Sequence, residues 1–534
     1  MPQNTSKPSL VRRTFLIGAG GLAATFSGLL PAAAAPGRSG ERPRPERPGH
    51  PTAQPAPEDS YRPAYHFSVP DNWKNDPQRP VYIDGEYLYY YLYNDDYLAG
   101  GHGTSWRLAT TKDHVSFIDR GVAIEKFSNP NGDCWSGCVV LDREGTAGYG
   151  TGALIALVTQ APQGTQGQYL WYSTDKGRSY SPGPDYPVLP NPGVHDFRDP
   201  KVIWDEERGR WFMANAEGKR LAFYTSPNLR DWSYVADFPR EELGVLECPD
   251  LFKMRAEDGT EHWVLGVSAN GKSQGLPATY AYWTGRFDGI SFTADNADPE
   301  WLDRGFDFYG AVTFEGHDAA GQPDPALRHA IGWANFWDYP HNAPSLVTDH
   351  YNGDDMIVRD LHLLKEGGRY VLTSQPAAAL RQYTIQEHVL GDVVLSGTQN
   401  LAVHSRAYEL SCTLTWDTAA PPGNIGFELC RAPGGGRHVA AGAYFDGGFS
   451  YVNRRPTFNP GAGGESQVAF DTAAGELEVR ILVDHSSVEF FVGNGRVVHS
   501  HRAFPLAGDD GIRLFVSDGQ AVYRNLTIRE LAVP

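Results

Sequence analysis

After residue 60 the chain alternates short apolar runs with clusters of Gly, Asp, Asn and Pro. "PVYIDGEYLYYYL", "ALIALVTQ", "QYLWYST", "RWFMANA", "LAFYTS" and "HWVLGVSA" are each too short for a helix and rich in β-branched and aromatic residues. Long amphipathic helical periodicity is almost absent. This punctuation predicts strands joined by tight turns, an all-β protein.

The runs also repeat. "NDPQRPVYIDGEYLYYY", "RDPKVIWDEERGRWFMAN" and "CPDLFKMRAEDGTEHWVLG" share one plan: an acidic or Cys residue, Pro, a strand, an acidic Gly turn, then a second aromatic strand. Asp76, Asp199 and Cys248 hold equivalent places, with Glu247 one residue earlier. The spacing from Asp199 to Cys248 matches one four-stranded propeller blade of about 40–50 residues. Residues 61–378 then hold roughly five or six blades. Beyond "LTSQPAAALRQYTIQEH" the pattern changes to strict apolar–polar alternation in "YELSCTLTW", "ELEVRILVD" and "SSVEFFV", with a hairpin turn in "VGNGRVV". That pattern predicts a β-sandwich over 393–534, reached through a linker at 379–392.

Composition narrows the partners. The net charge of −18 disfavours nucleic acid and anionic membranes, and a neutral substrate fits it. At the N-terminus, Arg12-Arg13 precedes "TFLIGAGGLAATFSGLL", and small residues follow near Ala34 and Ala35. A twin-arginine export signal over 1–35 is the natural reading, with secretion as its consequence. A membrane anchor is the alternative, for which the run is short and Gly-rich. Residues 36–60 read as a Pro- and Arg-rich disordered leader. The five cysteines form no evident disulfide framework, although Cys412 and Cys430 lie in neighbouring strand-like runs and could pair. Cys134 and Cys138 lack a second ligand cluster, so no zinc site is assigned.

In a propeller the innermost strand of each blade lines a central channel, so equivalent positions converge. Asp76, Asp199 and Glu247 then face one pocket. Clustered like charges raise one another's pKa, a cost that function would explain. Each Asp taken alone could simply cap a turn, since Asp-Pro is a common turn pair; three in register, with Arg198 beside one, favour function. Glycoside hydrolysis needs such a set: one carboxylate to attack, one acid to protonate the leaving oxygen. Trp73, Trp106, Trp135, Trp333 and Trp337 are candidate sugar-stacking residues near the motifs, against a background in which most Trp is core.

These motifs resemble glycoside hydrolase family 32, the fructan hydrolases, invertases and fructosyltransferases. "WKNDPQRP" resembles the family's WxNDPNG box, "WSGC" its (F/W)SGS, "FRDPK" its RDP and "ECPDLF" its EC box. "DFYG", "GWANFWDY", "MIVRDLHLLKEGGRYVLTSQP" and "DHSSVEFFVGNGRVVHSHRAFP" continue the likeness in order, over roughly residues 62 to 530. The resemblance implies a five-bladed propeller plus sandwich, a retaining mechanism, and neither metal nor cofactor. It also implies Asp76 as nucleophile, Glu247 as general acid/base and Asp199 as transition-state stabiliser. Asn75, Trp135, Ser136, Arg198, Tyr309 and Trp333 map onto family positions around the sugar, with Trp73 beside them.

The departures matter too. Gln78-Arg79 stands where the family has Asn-Gly, and Arg resists the positive φ that Gly permits, so this turn should differ in shape. Leu92 replaces a Gln, and "WRLA" replaces WGHA. Gln78 and Arg79 are therefore expected at the substrate rim. A box modified in this way resembles levan fructotransferases, which cleave a terminal difructosyl unit from β-2,6-fructan and cyclise it to difructose dianhydride IV. Holding a hydroxyl of the second fructose against the fructosyl-enzyme would give it an effective concentration of order 10⁵ M or more. Hydrolytic levanase and levanbiose-releasing exo-fructanase are the alternative enzyme readings. A non-catalytic fructan-binding protein is the alternative of another class, and an inverting arabinan hydrolase is disfavoured by the sandwich.

Overall fold

The computed structural model describes residues 59–534 apart from Ala462; the expected export signal and nearly all of the leader lie outside the described residues. Five antiparallel sheets form a propeller, and a ten-stranded sheet folded on itself forms a nearly closed sandwich. The innermost strands of the five blades are Asn72–Pro77, Gly137–Asp142, Arg198–Asp205, Leu246–Arg255 and Tyr309–His317. Blade spacing alone left five or six; the structure has five.

The Tyr-rich run Glu86–Asn94 is buried along nearly its whole length. It is a middle strand of the first blade, so both faces meet protein, and a continuous rather than alternating apolar pattern follows. Its side chains divide between two clusters. Tyr89, Tyr91 and Tyr93 pack towards the fifth blade and sandwich, whereas Leu88, Tyr90 and Leu92 pack against Trp106, Val139 and Leu154 of the first and second blades. The ring closes through two residues: Tyr351 and Asn352, in the connection between the second and third strands of the fifth blade, pair in parallel with Asn72 and Trp73.

Four of the five innermost strands carry a bulge at one level. The pairing register slips between Lys74 and Pro77, Arg198 and Lys201, Glu247 and Asp250, and Tyr309 and Val312. Asp199, Cys248 and Gly310 sit there with φ of 62°, 49° and 56°. A bulge turns one side chain out of the alternation and tightens the local twist. Here it brings the Asp199 carboxylate against the Cys248 N–H of the next blade. Non-glycine residues in this region cost about 1–3 kcal/mol each, the kind of strain that accumulates at functional sites.

The sandwich begins earlier than its alternation predicts. A 3₁₀ turn, Ala378–Tyr383, leads straight into strand Thr384–His404, so residues 384–392, expected as linker, are already sheet. Strand Gly511–Leu531 pairs with Thr384–His404, Tyr408–Trp416 and Asn424–Arg431. It lies between the strands that hold Cys412 and Cys430. With that strand interposed the two do not pair, which answers a question the sequence left open: both cysteines are buried and free.

Propeller and sandwich share a buried ionic seam. Arg359 of the fifth blade donates to Asp303 at 2.8 Å and to the sandwich's Glu489 at 2.9 Å. Arg454 donates to Asp307 at 2.6 Å, and Arg502 to Asp354 at 2.7 Å.

Candidate active site

Each innermost strand delivers one group to the mouth of the channel: Asp76 near the end of the first, Ser136 just before the second, and Asp199, Glu247 and Tyr309 at the start of the other three. Ser136 Oγ–H donates to Asp76 Oδ2 at 2.7 Å. The Cys248 N–H donates to Asp199 Oδ2 at 3.1 Å, and the Asp199 N–H donates to Thr159 Oγ1 at 3.1 Å. The Cys248 Sγ lies 3.9 Å from Asp76 Oδ2 and 3.8 Å from Asp199 Oδ2, so the two carboxylates flank one thiol. On the far side of Cys248, Glu247 receives Arg198 Nε at 3.1 Å on Oε1 and the Tyr309 hydroxyl at 2.5 Å on Oε2. Arg198 is itself held by Asp196 at 2.6 Å and by Gln166 at 3.4 Å. Three carboxylates from three blades therefore sit within one hydrogen-bonded cluster.

The three differ in environment. Asp76 is 9% exposed and Asp199 2%, whereas the Glu247 side chain keeps 16% of its surface. Burial, and then the charges of Asp199 and Glu247, push the Asp76 carboxyl up to about 7, against the lowering effect of Ser136. Burial also raises Asp199, which Arg198 partly offsets. Divergent carboxyl environments at one site are the mark of distinct acid, base and nucleophile roles.

Asp76 is poised asymmetrically. Oδ2 is occupied by Ser136, while Oδ1 is buried without a partner in the protein. Room for Oδ1 comes from Gly310: a Cβ there would lie 2.7 Å from it. We therefore expect Gly310→Ala to displace Asp76 and lower kcat by on the order of 10²-fold, since misplacements of ~1 Å have that effect. The alanine at φ 56° would add about 1–2 kcal/mol of backbone cost. Wild-type turnover in this variant, checked by steady-state kinetics on purified folded protein, would refute the packing argument.

The other expected site residues divide into two groups. Asn75 and Trp333 are buried beside Asp76 and Tyr309, and the Asn75 Oδ1 and Trp333 Nε1 have no protein partner. Trp73, Trp333 and Trp337 form one aromatic cluster with centroids 5.2 to 6.5 Å apart. Trp337 is the exposed member, at 36%. Trp135 is half-buried and ties Nε1 to Asp133 at 3.2 Å. Trp106 is core: it is fully buried and donates to the Trp135 carbonyl at 2.9 Å.

Gln78 and Arg79 are not at the rim. Gln78 is 1% exposed, accepts the Gly137 N–H at 2.7 Å, and continues the strand by donating its own N–H to Tyr90 at 2.7 Å. Arg79 is 3% exposed and points down the channel. Neither residue adopts a positive φ. Leu92, also expected near the rim, is buried between the first two blades. The residue after an Asn-Asp-Pro turn was legible; whether its side chain enters the channel or the rim depends on the bulge. Cys248 and Gly310, which shape the site, were missed as functional, although the alignment of Cys248 with Asp76 and Asp199 was visible in the repeat.

A propeller whose channel mouth gathers paired carboxylates, an arginine and aromatic side chains is the architecture of a glycoside hydrolase. The chain belongs to glycosyl hydrolase family 32: the family's N-terminal domain model matches residues 66–376 and its C-terminal model residues 377–530. It is 47% identical over 474 residues to a levanbiose-producing levanase of Bacillus subtilis, covering 88% of this chain and 90% of that protein. A levanbiose-producing levanase of Geobacillus stearothermophilus is 48% identical over 387 residues, covering 72% of this chain and 96% of its own. Among solved structures, an exo-inulinase from Aspergillus awamori superposes with a TM-score of 0.79 at 25% identity, covering 89% of this chain and 99% of that one.

Proposed function

We propose that this protein is a retaining exo-fructanase that releases levanbiose from β-2,6-linked fructan. The observation that carries the reading is its likeness, close to half identical over 88% and 72% of this chain, to two levanbiose-producing levanases. The site supports the chemistry. Asp76 Oδ1, the unpartnered oxygen, attacks the anomeric C2 of a fructosyl unit. Glu247 gives a proton to the departing glycosidic oxygen, and the C2–O bond breaks as the Asp76 ester forms. Glu247, now ionised, takes a proton from water, whose oxygen attacks C2 and releases Asp76. Arg198 and Tyr309 hold Glu247 in place for both steps. Asp199 accepts hydrogen bonds from ring hydroxyls as positive charge grows on the sugar. The orphaned Asn75 Oδ1 and Trp333 Nε1 would find partners among the same hydroxyls.

The sequence reading of intramolecular transfer drew on the likeness of the modified box to levan fructotransferases, with Arg79 and Leu92 expected near the substrate rim. Both are interior, so the rim part of that argument loses its residues. Chromatography of products from levan tests the choice. Levanbiose as the first product supports hydrolysis in two-sugar steps; free fructose alone would indicate single-unit release, and a non-reducing cyclic dimer would restore the transfer reading.

A further inference from the structure

Arg79 departs from the family's box, lies within a few residues of the proposed nucleophile, and is absorbed by none of the steps above. Its guanidinium occupies the channel one step below the carboxylates. Nη1 donates to the Gly137 carbonyl at 2.8 Å and to the Pro200 carbonyl at 3.4 Å, and Nη2 donates to the Pro249 carbonyl. Those acceptors belong to the second, third and fourth blades. Each adjoins a site residue: Gly137 follows Ser136, Pro200 follows Asp199, and Pro249 follows Glu247 and Cys248. One side chain from the first blade thus fastens three of the four other strands that present the polar groups of the site.

We propose that Arg79 is a positioning residue for the glycosidic reaction: its fork sets the relative height of the strands bearing Ser136, Asp199 and Glu247, and its charge forms a positive floor beneath the carboxylates. The inference rests on the reading of the site as a glycosidase. A planar guanidinium suits this task because its donors diverge in a fixed plane, whereas an ammonium is a point donor on a flexible stem. Among the described residues no carboxylate forms an ion pair with Arg79. The acid deeper in the channel, Asp250, is instead taken by Lys201 at 3.0 Å and Arg328 at 3.8 Å. Burial raises the Asp199 carboxyl; Arg198 chiefly, and Arg79 after it, lower it against burial and Glu247. Arg198, Asp76 and the Cys248 thiol are the other titratable groups facing that carboxyl.

Two variants separate the fork from the charge. Arg79→Met removes both and keeps most of the volume; Arg79→Lys keeps the charge and loses the fork. Kinetics on levan as a function of pH, with total fructosyl release as the readout, are compared with wild type, and folding is checked by melting temperature. Arg79→Met is expected to lower kcat by on the order of 10²-fold, with a smaller change in KM, and to move the acidic fall of kcat/KM to higher pH. Arg79→Lys is expected to lose about tenfold in kcat while that fall stays in place. A folded Arg79→Met with wild-type kcat and pH profile would overturn the proposal, even if its melting temperature dropped, because that is the signature of a merely structural residue. If Arg79→Met does not fold, the lysine variant decides, and wild-type kcat there overturns the role of the fork. A wild-type protein inactive on levan, inulin and sucrose would instead overturn the reading of the site, and this inference with it.

Discussion

Asp76→Asn is expected to lower fructan cleavage by on the order of 10⁴-fold or more, the scale seen when a nucleophile is removed, and yet to raise the melting temperature at alkaline pH. The two effects share one cause. Burial, then Asp199 and Glu247, lift this carboxyl from its ordinary 3.8 up to about 7. A folded-state value above the unfolded one means that the protonated form is favoured by the fold. Its contribution to stability is complete below the unfolded value and is lost as pH rises through about 7. At about 1.4 kcal/mol per pH unit, the ionised carboxylate costs the native state up to about 4 kcal/mol. Asparagine removes that charge and can still accept the Ser136 hydroxyl. Activity has the opposite dependence: attack needs the ionised form, so kcat/KM should fall as pH drops through the same window. Asp199→Asn should shift that fall to lower pH by removing a like charge. Calorimetry above pH 7 with kinetics on levan checks both halves. An Asp76→Asn protein that remains active, or that melts lower than wild type at high pH, would contradict the assignment of the charge.

Arg359→Met is expected to destabilise the protein by about 3–5 kcal/mol, the usual effect of breaking a buried ion pair from one side. Arg359 is fully buried, and its Nη2 donates to Asp303, Glu489 and the Ser500 hydroxyl at 2.6 to 2.9 Å. Its guanidinium also lies 3.9 Å over Phe308. Methionine would fill much of the space but leave buried Asp303 without its cation, while Glu489 would keep only His66 as a cationic partner, at 3.0 Å. Because Glu489 and Ser500 belong to the sandwich and Arg359 to the propeller, both parts should lose stability together. Denaturant unfolding followed by near-UV and far-UV signals should give one coincident transition at a lower midpoint. An unchanged midpoint, or a sandwich that melts separately, would show that the seam does not couple the two halves.

Much of this arrangement is readable from residues alone, and the reason is local. The Asp-Pro, Cys-Pro and acidic Gly-turn signals punctuate three of the five innermost strands, and their repeat places three carboxylates at one end of a ring. The one-residue offset of Glu247 looks like a flaw in the repeat. In the structure it is a consequence of the bulge at Cys248, whose N–H turns to Asp199 while Glu247 turns to Arg198 and Tyr309. What stays hidden is whatever depends on direction or on distant pairing. Arg79 lies in a predicted turn and Leu92 in a predicted strand, but no local pattern says that one enters the channel and the other the face between blades. Cys412 and Cys430 are close in sequence, yet a strand from about a hundred residues later separates them.

That late strand has a consequence for how the chain matures. Gly511–Leu531 is the spine of the sandwich, shared by three strands that precede it by roughly a hundred residues. Until it emerges, Thr384–His404 has no neighbour to pair with, and the Glu489 and Ser500 side of the seam has no finished scaffold. A nascent chain ending before Gly511 can close its ring through Tyr351 and Asn352 but leaves long, unpaired β edges open to wrong partners. Completion of this molecule is therefore a late event, governed by its last strand rather than by the blades that carry the chemistry.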